Sequence, residues 1–87
     1  MSGVMMMNDM EMKKIFKRNG EFIVTGAYVD EPDGGRVYSE KSLISYLINE
    51  APNIDINTSA LSVDDHRLAW SAYHRGLRNY TKKKFGV

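Results

Sequence analysis

The sequence predicts a small α+β domain, a three-stranded antiparallel β-meander packed with two α-helices in the order ββ(β)αα. Three observations predict it. The stretch KKIFKRNGEFIVTGAYV sets Asn19-Gly20 between two strand-like runs, and Asn-Gly accepts the positive φ angles of the type I′ turn that closes a two-residue hairpin. Leu43, Ile44, Leu47, Ile48 and Ala51 recur at helical spacing. A second amphipathic run fills residues 63–82. At 87 residues the chain is the size of one domain. We assign that domain to residues 10–87 and read residues 1–9 as a flexible Met-rich leader.

The hairpin turn sets a register that pairs Arg18 with Glu21, Phe16 with Ile23, Lys14 with Thr25 and Met12 with Ala27. Directly opposed side chains share a face, so Met12, Phe16, Ile23, Ala27 and Val29 gather on one side, the face expected to be buried. The other side mixes Ile15, Phe22, Val24 and Tyr28 with Glu11, Lys13 and Lys17. Lys13, Lys17, Phe22 and Tyr28 form an alternative sheet-face contact, because aromatic and basic sheet faces can stack bases. Cover by a helix or a second subunit is the plainer expectation for that face. Gly26 inside the strand suggests a bulge or a close backbone approach.

DEPDGGR at 30–36 has the turn residues of a loop, Pro32 early and Asp33-Gly34-Gly35 at the bend. RVYS then reads as a short third strand. The three acids of the loop lack the alternating spacing and closing Glu of a calcium loop, so an acidic surface loop is expected rather than a metal site.

Ser39 is a suitable N-cap for a helix over about 40–50, and Pro52 ends it. NIDINTSALS follows as a polar connector tacked down by Ile54, Ile56 and Leu61. Ser62, with Asp65 three residues on, opens the second helix in the manner of a capping box. Both Asp64 and Asp65 favour its positive end.

Several chemistries are excluded. The chain has no cysteine, so it has no disulfide, no thiolate nucleophile and no Cys-ligated zinc. That suits a reducing compartment, and a cytoplasmic location is expected. No apolar run approaches the ~20 residues that span a bilayer, so no membrane contact is expected. His66 and His74 lie eight residues apart on one helix, a rise of about 12 Å, too far to share one metal. Asp64-Asp65-His66 does not form a charge relay, because adjacent helical residues face apart. We expect His66 to hydrogen-bond the connector instead. No nucleophile elbow and no phosphate-cradling glycine loop occurs. No enzyme activity, cofactor or metal is therefore expected.

The charge is uneven. Residues 1–63 hold six Lys/Arg against nine Asp/Glu, or −3, and residues 64–87 hold six against two, or +4. Asymmetry of this kind points to an electrostatic contact. On a helical projection Ala69, Trp70, Tyr73, Gly76, Leu77 and Tyr80 share one side. Arg67, His74, Arg75, Arg78 and Lys82, continued by Lys83 and Lys84, form the opposite side, the expected partner-binding face. The plainer reading is a solvated face whose cations favour the helix C-terminus.

These features predict a small non-enzymatic binding protein that occludes or bridges a macromolecular surface. An acidic protein surface is the favoured partner, since the planar guanidinium suits carboxylate pairing. In size, bipolar charge and lack of a catalytic constellation the chain resembles phage- or mobile-element-encoded inhibitors of host machinery. The alternatives are a nucleic-acid-binding regulator that uses the basic helix, for which a net charge of +1 is low, and a self-assembling structural accessory protein. Self-assembly would use the Met-rich leader, and homo-oligomerisation is an ordinary remedy for a thin core. LAWSAYHRGLRNY resembles the Trp-Tyr-Arg helices of phage structural accessory proteins over about a dozen positions, and no role is carried over from that resemblance.

Overall fold

Asn19 and Gly20 take φ angles of 53° and 80°, the left-handed pair that a type I′ turn requires. They join β1 (Glu11–Arg18) to β2 (Glu21–Gly26) in the expected register, with Arg18 opposite Glu21, Phe16 opposite Ile23 and Lys14 opposite Thr25. The computed structural model describes residues 11–85, the side chains of Lys84 and Phe85 excepted. The expected leader at 1–9 lies outside these residues.

β3 (Arg36–Tyr38) adds antiparallel to β2, completing the expected meander. α1 (Glu40–Glu50) then crosses the sheet, capped by the Ser39 hydroxyl, which accepts the Ser42 N–H. A single 3₁₀ turn (Ala51–Asn53) holds Pro52 and stops the helix.

The next segment departs from the expectation. Ile54–Asn57, read as part of the connector, is a fourth strand, β4, that pairs parallel with β1. The sheet is therefore four-stranded and mixed, in the order β3-β2-β1-β4. Four residues of alternating Ile and polar character suffice here because the strand needs only one partner and one buried face. α2 (Val63–Phe85) follows a short loop and runs three residues beyond the expected end at 82. No helix among the described residues is long and apolar enough to cross a membrane.

Both helices cover one face of the sheet, the mixed face for which cover is the plainer expectation, and not the Met12 and Phe16 face expected to be buried. Ile15, Phe22 and Val24 pack with Leu43, Leu47 and Ala51 of α1, Ile54 and Ile56 of β4, and Ala69, Ala72 and Tyr73 of α2. The physical reason lies in two details. β2 ends in regular register at Gly26, without a bulge, so Ala27 and Val29 lie in the loop and add nothing to the other face. The lysines on the core face sit at its margin and reach out of it. Lys17 spans the Phe22 ring (4.8 Å to the centroid) to the Asp65 carboxylate at 3.3 Å, and Lys13 meets Glu11 at 3.4 Å.

The outer face keeps Met12, Lys14, Phe16 and Val37, with Lys14 over the Phe16 ring at 5.0 Å. Ile23 and Thr25 on this side are nevertheless buried. The β2–β3 loop folds onto them at Gly35, where a Cβ would stand 2.6 Å from Ile23 Cγ2 and 2.7 Å from Thr25 Cγ2.

α1 and α2 cross closely at another glycine. A Cβ on Gly76 would lie 2.4 Å from the Ile48 carbonyl oxygen and 2.8 Å from Ala51 Cβ. The small residue thus serves helix-to-helix contact, not the helix-to-sheet contact that its apolar side suggests.

Candidate functional site

α2 is anchored along its inner side by two polar contacts. The Tyr73 hydroxyl donates to the Ile54 carbonyl at 2.7 Å and ties the helix to β4. Burial raises the Tyr73 pKa above its ordinary value, and the Asp55 carboxylate adds to the effect. The second anchor is Thr58, just past β4, whose buried hydroxyl oxygen accepts the Trp70 indole N–H at 3.0 Å and lies 2.6 Å from His66 Nδ1. One hydroxyl thus ties both rings of α2 to the end of β4. The expected bond from His66 to the connector is thus present.

A hydroxyl this close to an imidazole has the spacing of a nucleophile and its base. Here the same oxygen also accepts the tryptophan N–H, and Thr58 is only 8% exposed. Among the described residues no group of three His, Asp or Glu side chains gathers closely enough to hold a metal.

Trp70 lies between the two histidines. His74 stacks on it, with centroids 4.8 Å apart and planes at 28°, while His66 tilts against it at 6.0 Å. Tyr73 meets its edge at 5.4 Å. The indole is only half-buried, so Trp70 is shared between the core and the outer flank of the helix instead of being wholly internal.

The expected basic face is present and exposed at Arg67, His74, Arg75, Arg78, Lys82 and Lys83; the Lys84 side chain lies outside the described residues. The structure sorts these side chains into groups. His74, Arg78 and Lys82 surround a shallow hollow of about 340 Å³ whose floor is Leu77, with Thr81 beside it. Arg75 lies instead along the α1–α2 groove with Ser71, Ile44, Ile48 and Leu68. Lys83 stands near the end of α1, beside Asn49 and Pro52. Arg67 is exposed and lines none of these hollows.

The alternative sheet-face set does not form one exposed surface. Phe22 is fully enclosed under the helices, and Lys13 and Lys17 are held by Glu11 and Asp65. Tyr28 lies beyond β2 in the acidic loop and is 98% exposed. What sequence reasoning missed is a hollow of about 560 Å³ beside Trp70, walled by Ile56, Thr58, Leu61, Val63 and His66, with Met12 at its edge. The strand-like alternation of IDIN is the one signal that could have placed it. Comparison with protein-family models, with curated proteins and with solved structures returns no match.

Proposed function

We propose that this chain is a small non-enzymatic binding protein that occludes or bridges a macromolecular surface through the cationic side of α2, and that its partner is an acidic protein surface. One contrast carries the reading. Lys13, Lys17 and Arg18 of β1 are ion-paired and Lys14 lies over an aromatic ring. Arg67, Arg75, Arg78, Lys82 and Lys83 make no ion pair among the described residues. The cations of β1 are engaged within the domain, whereas those of α2, like Arg36 on β3, are left to solvent. Long side chains of this kind meet carboxylates at modest cost in desolvation. Action by occlusion, as in small inhibitors of host machinery, fits a chain with one exposed charged helix and a core too small to enclose a substrate.

The test compares wild type with the Arg75→Glu/Arg78→Glu variant on immobilised polyglutamate and on random-sequence duplex DNA, each titrated with salt. Wild type retained by polyglutamate and released by the double reversal is the expected result. Salt-dependent binding to duplex that exceeds binding to polyglutamate assigns the same face to nucleic acid instead. Equal behaviour of the two proteins on both matrices overturns the basic-face reading altogether.

A further inference from the structure

We infer that the outer flank of α2 is a self-association surface, on which α2 of a second copy lies antiparallel about a two-fold axis at Trp70. Val63 and Leu77 stand seven residues before and after Trp70, so the three share one strip of the helix, the repeat of a helix–helix seam. The fold uses the strip only in part, through Trp70 and Leu77, which pack against the core. Val63 is 66% exposed, and Trp70 and Leu77 are half-buried. α1 packs on a different side of α2, at Gly76.

The spacing makes the strip self-complementary. A two-fold at Trp70 sets Val63 of one copy against Leu77 of the other, twice over, as an isologous interface requires. Each of those residues adjoins a hollow: one beside Val63, walled by Leu61 and Trp70, and one floored by Leu77. Val63 of each copy, the more exposed of the two residues, therefore lies over the hollow at Leu77 of the other.

Charge agrees with the antiparallel sense. Of the two acids in the first turn, Asp65 is held by Lys17, whereas Asp64 is exposed and makes no ion pair among the described residues. Antiparallel packing brings Asp64 to the level of Arg78 of the second copy, which lines the hollow at Leu77; parallel packing sets like charges side by side. The neighbouring strand edge is a poorer docking site, since the Ile54 carbonyl already accepts from Tyr73 and the Ile56 N–H donates to the Asp55 carboxylate.

From Val63 to Leu77 the strip is about 21 Å long and one helix, roughly 10 Å, wide. That footprint is well under the ~800 Å² per partner of a standard interface, so the dimer is weak and concentration-dependent. Its geometry has a further consequence: a two-fold normal to the helix pair turns the Arg75 and Lys82 side of both helices the same way, joining two cationic faces into one.

Sedimentation of the full chain over a range from low to high micromolar protein reads the association. The mass is expected to rise toward twice the monomer, and Val63→Glu, at an exposed position that the fold does not use, to remain a monomer throughout. Because the chain has no cysteine, a mixture of Val63→Cys and Leu77→Cys chains reports the register directly. Oxidation should yield a mixed disulfide dimer, while neither variant alone cross-links, its cysteines lying about 21 Å apart at ~1.5 Å per residue. A wild-type mass that stays monomeric at the highest concentration overturns the proposal, as does cross-linking of either single variant on its own. Loss of polyglutamate binding by Val63→Glu in a chain that never dimerises also overturns it and gives the flank to the acidic partner. Retention of polyglutamate by monomeric Val63→Glu separates the dimer from the basic-face reading, so either can fail without the other.

Discussion

Replacing Gly76 by alanine sets two opposing effects against each other, and the structure decides the sign. In an exposed helix the change stabilises by about 1 kcal/mol, because glycine is the poorer helix former. Here the added carbon would stand 2.4 Å from the Ile48 carbonyl oxygen, 2.8 Å from Ile48 Cα and 2.8 Å from Ala51 Cβ. An ordinary contact begins at 3.4 Å, so α1 and α2 must part by about 1 Å. Two of the three atoms are helical backbone, which cannot swing aside as a side-chain tip can. Overpacking costs about 1–3 kcal/mol, and a backbone shift belongs at the upper end, which leaves a net loss of about 2 kcal/mol. With a urea m-value of about 1 kcal/mol/M, suited to so short a chain, the midpoint should fall by roughly 2 M. Trp70 is the only tryptophan, so its fluorescence reports unfolding without a label. Gly26→Ala is the control: no atom lies within 4 Å of its added carbon, and its midpoint should hold or rise. A Gly76→Ala midpoint at or above wild type would refute the close-crossing account.

Two further substitutions test the anchors of α2. Thr58→Val keeps the shape but removes the oxygen shared by Trp70 and His66, and leaving those ring nitrogens without a partner should destabilise the chain by about 1–3 kcal/mol in the same urea assay. Tyr73→Phe leaves the Ile54 carbonyl without its donor and should lose a similar ~1–3 kcal/mol. It should also change the alkaline limb of stability. Burial first, and Asp55 second, raise the Tyr73 pKa above 10.0, so the folded state holds a proton that the unfolded state has released. That contribution is whole below the unfolded value and is lost as pH climbs through and beyond it. The urea midpoint of wild type should therefore drop more steeply above pH 10 than that of Tyr73→Phe, with Tyr46, also raised chiefly by burial, retaining its own share.

The elements legible in the sequence are those with a local cause. Asn19-Gly20 fixes a turn by its backbone angles alone, and Ser39 and Pro52 bound α1 through one hydroxyl and one missing N–H. β4 has no such cause. Ile54-Asp55-Ile56-Asn57 becomes a strand only because α1 returns the chain beside β1, a long-range event that four residues cannot announce. The inverted sheet face has the same origin. Both faces of the hairpin carry comparable apolar content, and the choice between them was made by the helices, whose buried residues Leu43, Leu47, Ala69 and Tyr73 complement Ile15 and Phe22. Lys13 and Lys17 misdirect the eye because a lysine counts as polar by type while its stem packs on aromatic surface.

The same distinction explains the candidate site. Helical periodicity reveals that Arg67, Arg75 and Arg78 point away from Tyr73 and Gly76, because that follows from one residue's angle to the next, whereas His74, projected to the same side, turns onto Trp70 and Tyr73. Periodicity alone has no knowledge of what flanks a helix. α1 occupies one flank of α2 and draws Arg75 to its groove, while the other flank extends past the sheet edge and holds Trp70 between two histidines. A residue such as Trp70, placed at the boundary between inner and outer sides, is assigned to the core by projection and to the surface by its neighbours. Such a position suits one residue to two tasks, with the indole N–H bonded inward to Thr58 while its ring is set between His66 and His74 on the outer flank. A helix built in this way separates its requirements by angle: small residues toward α1, hydrogen-bonding rings toward β4, cations toward solvent, and an apolar strip at Val63, Trp70 and Leu77 that the described residues cover only in part.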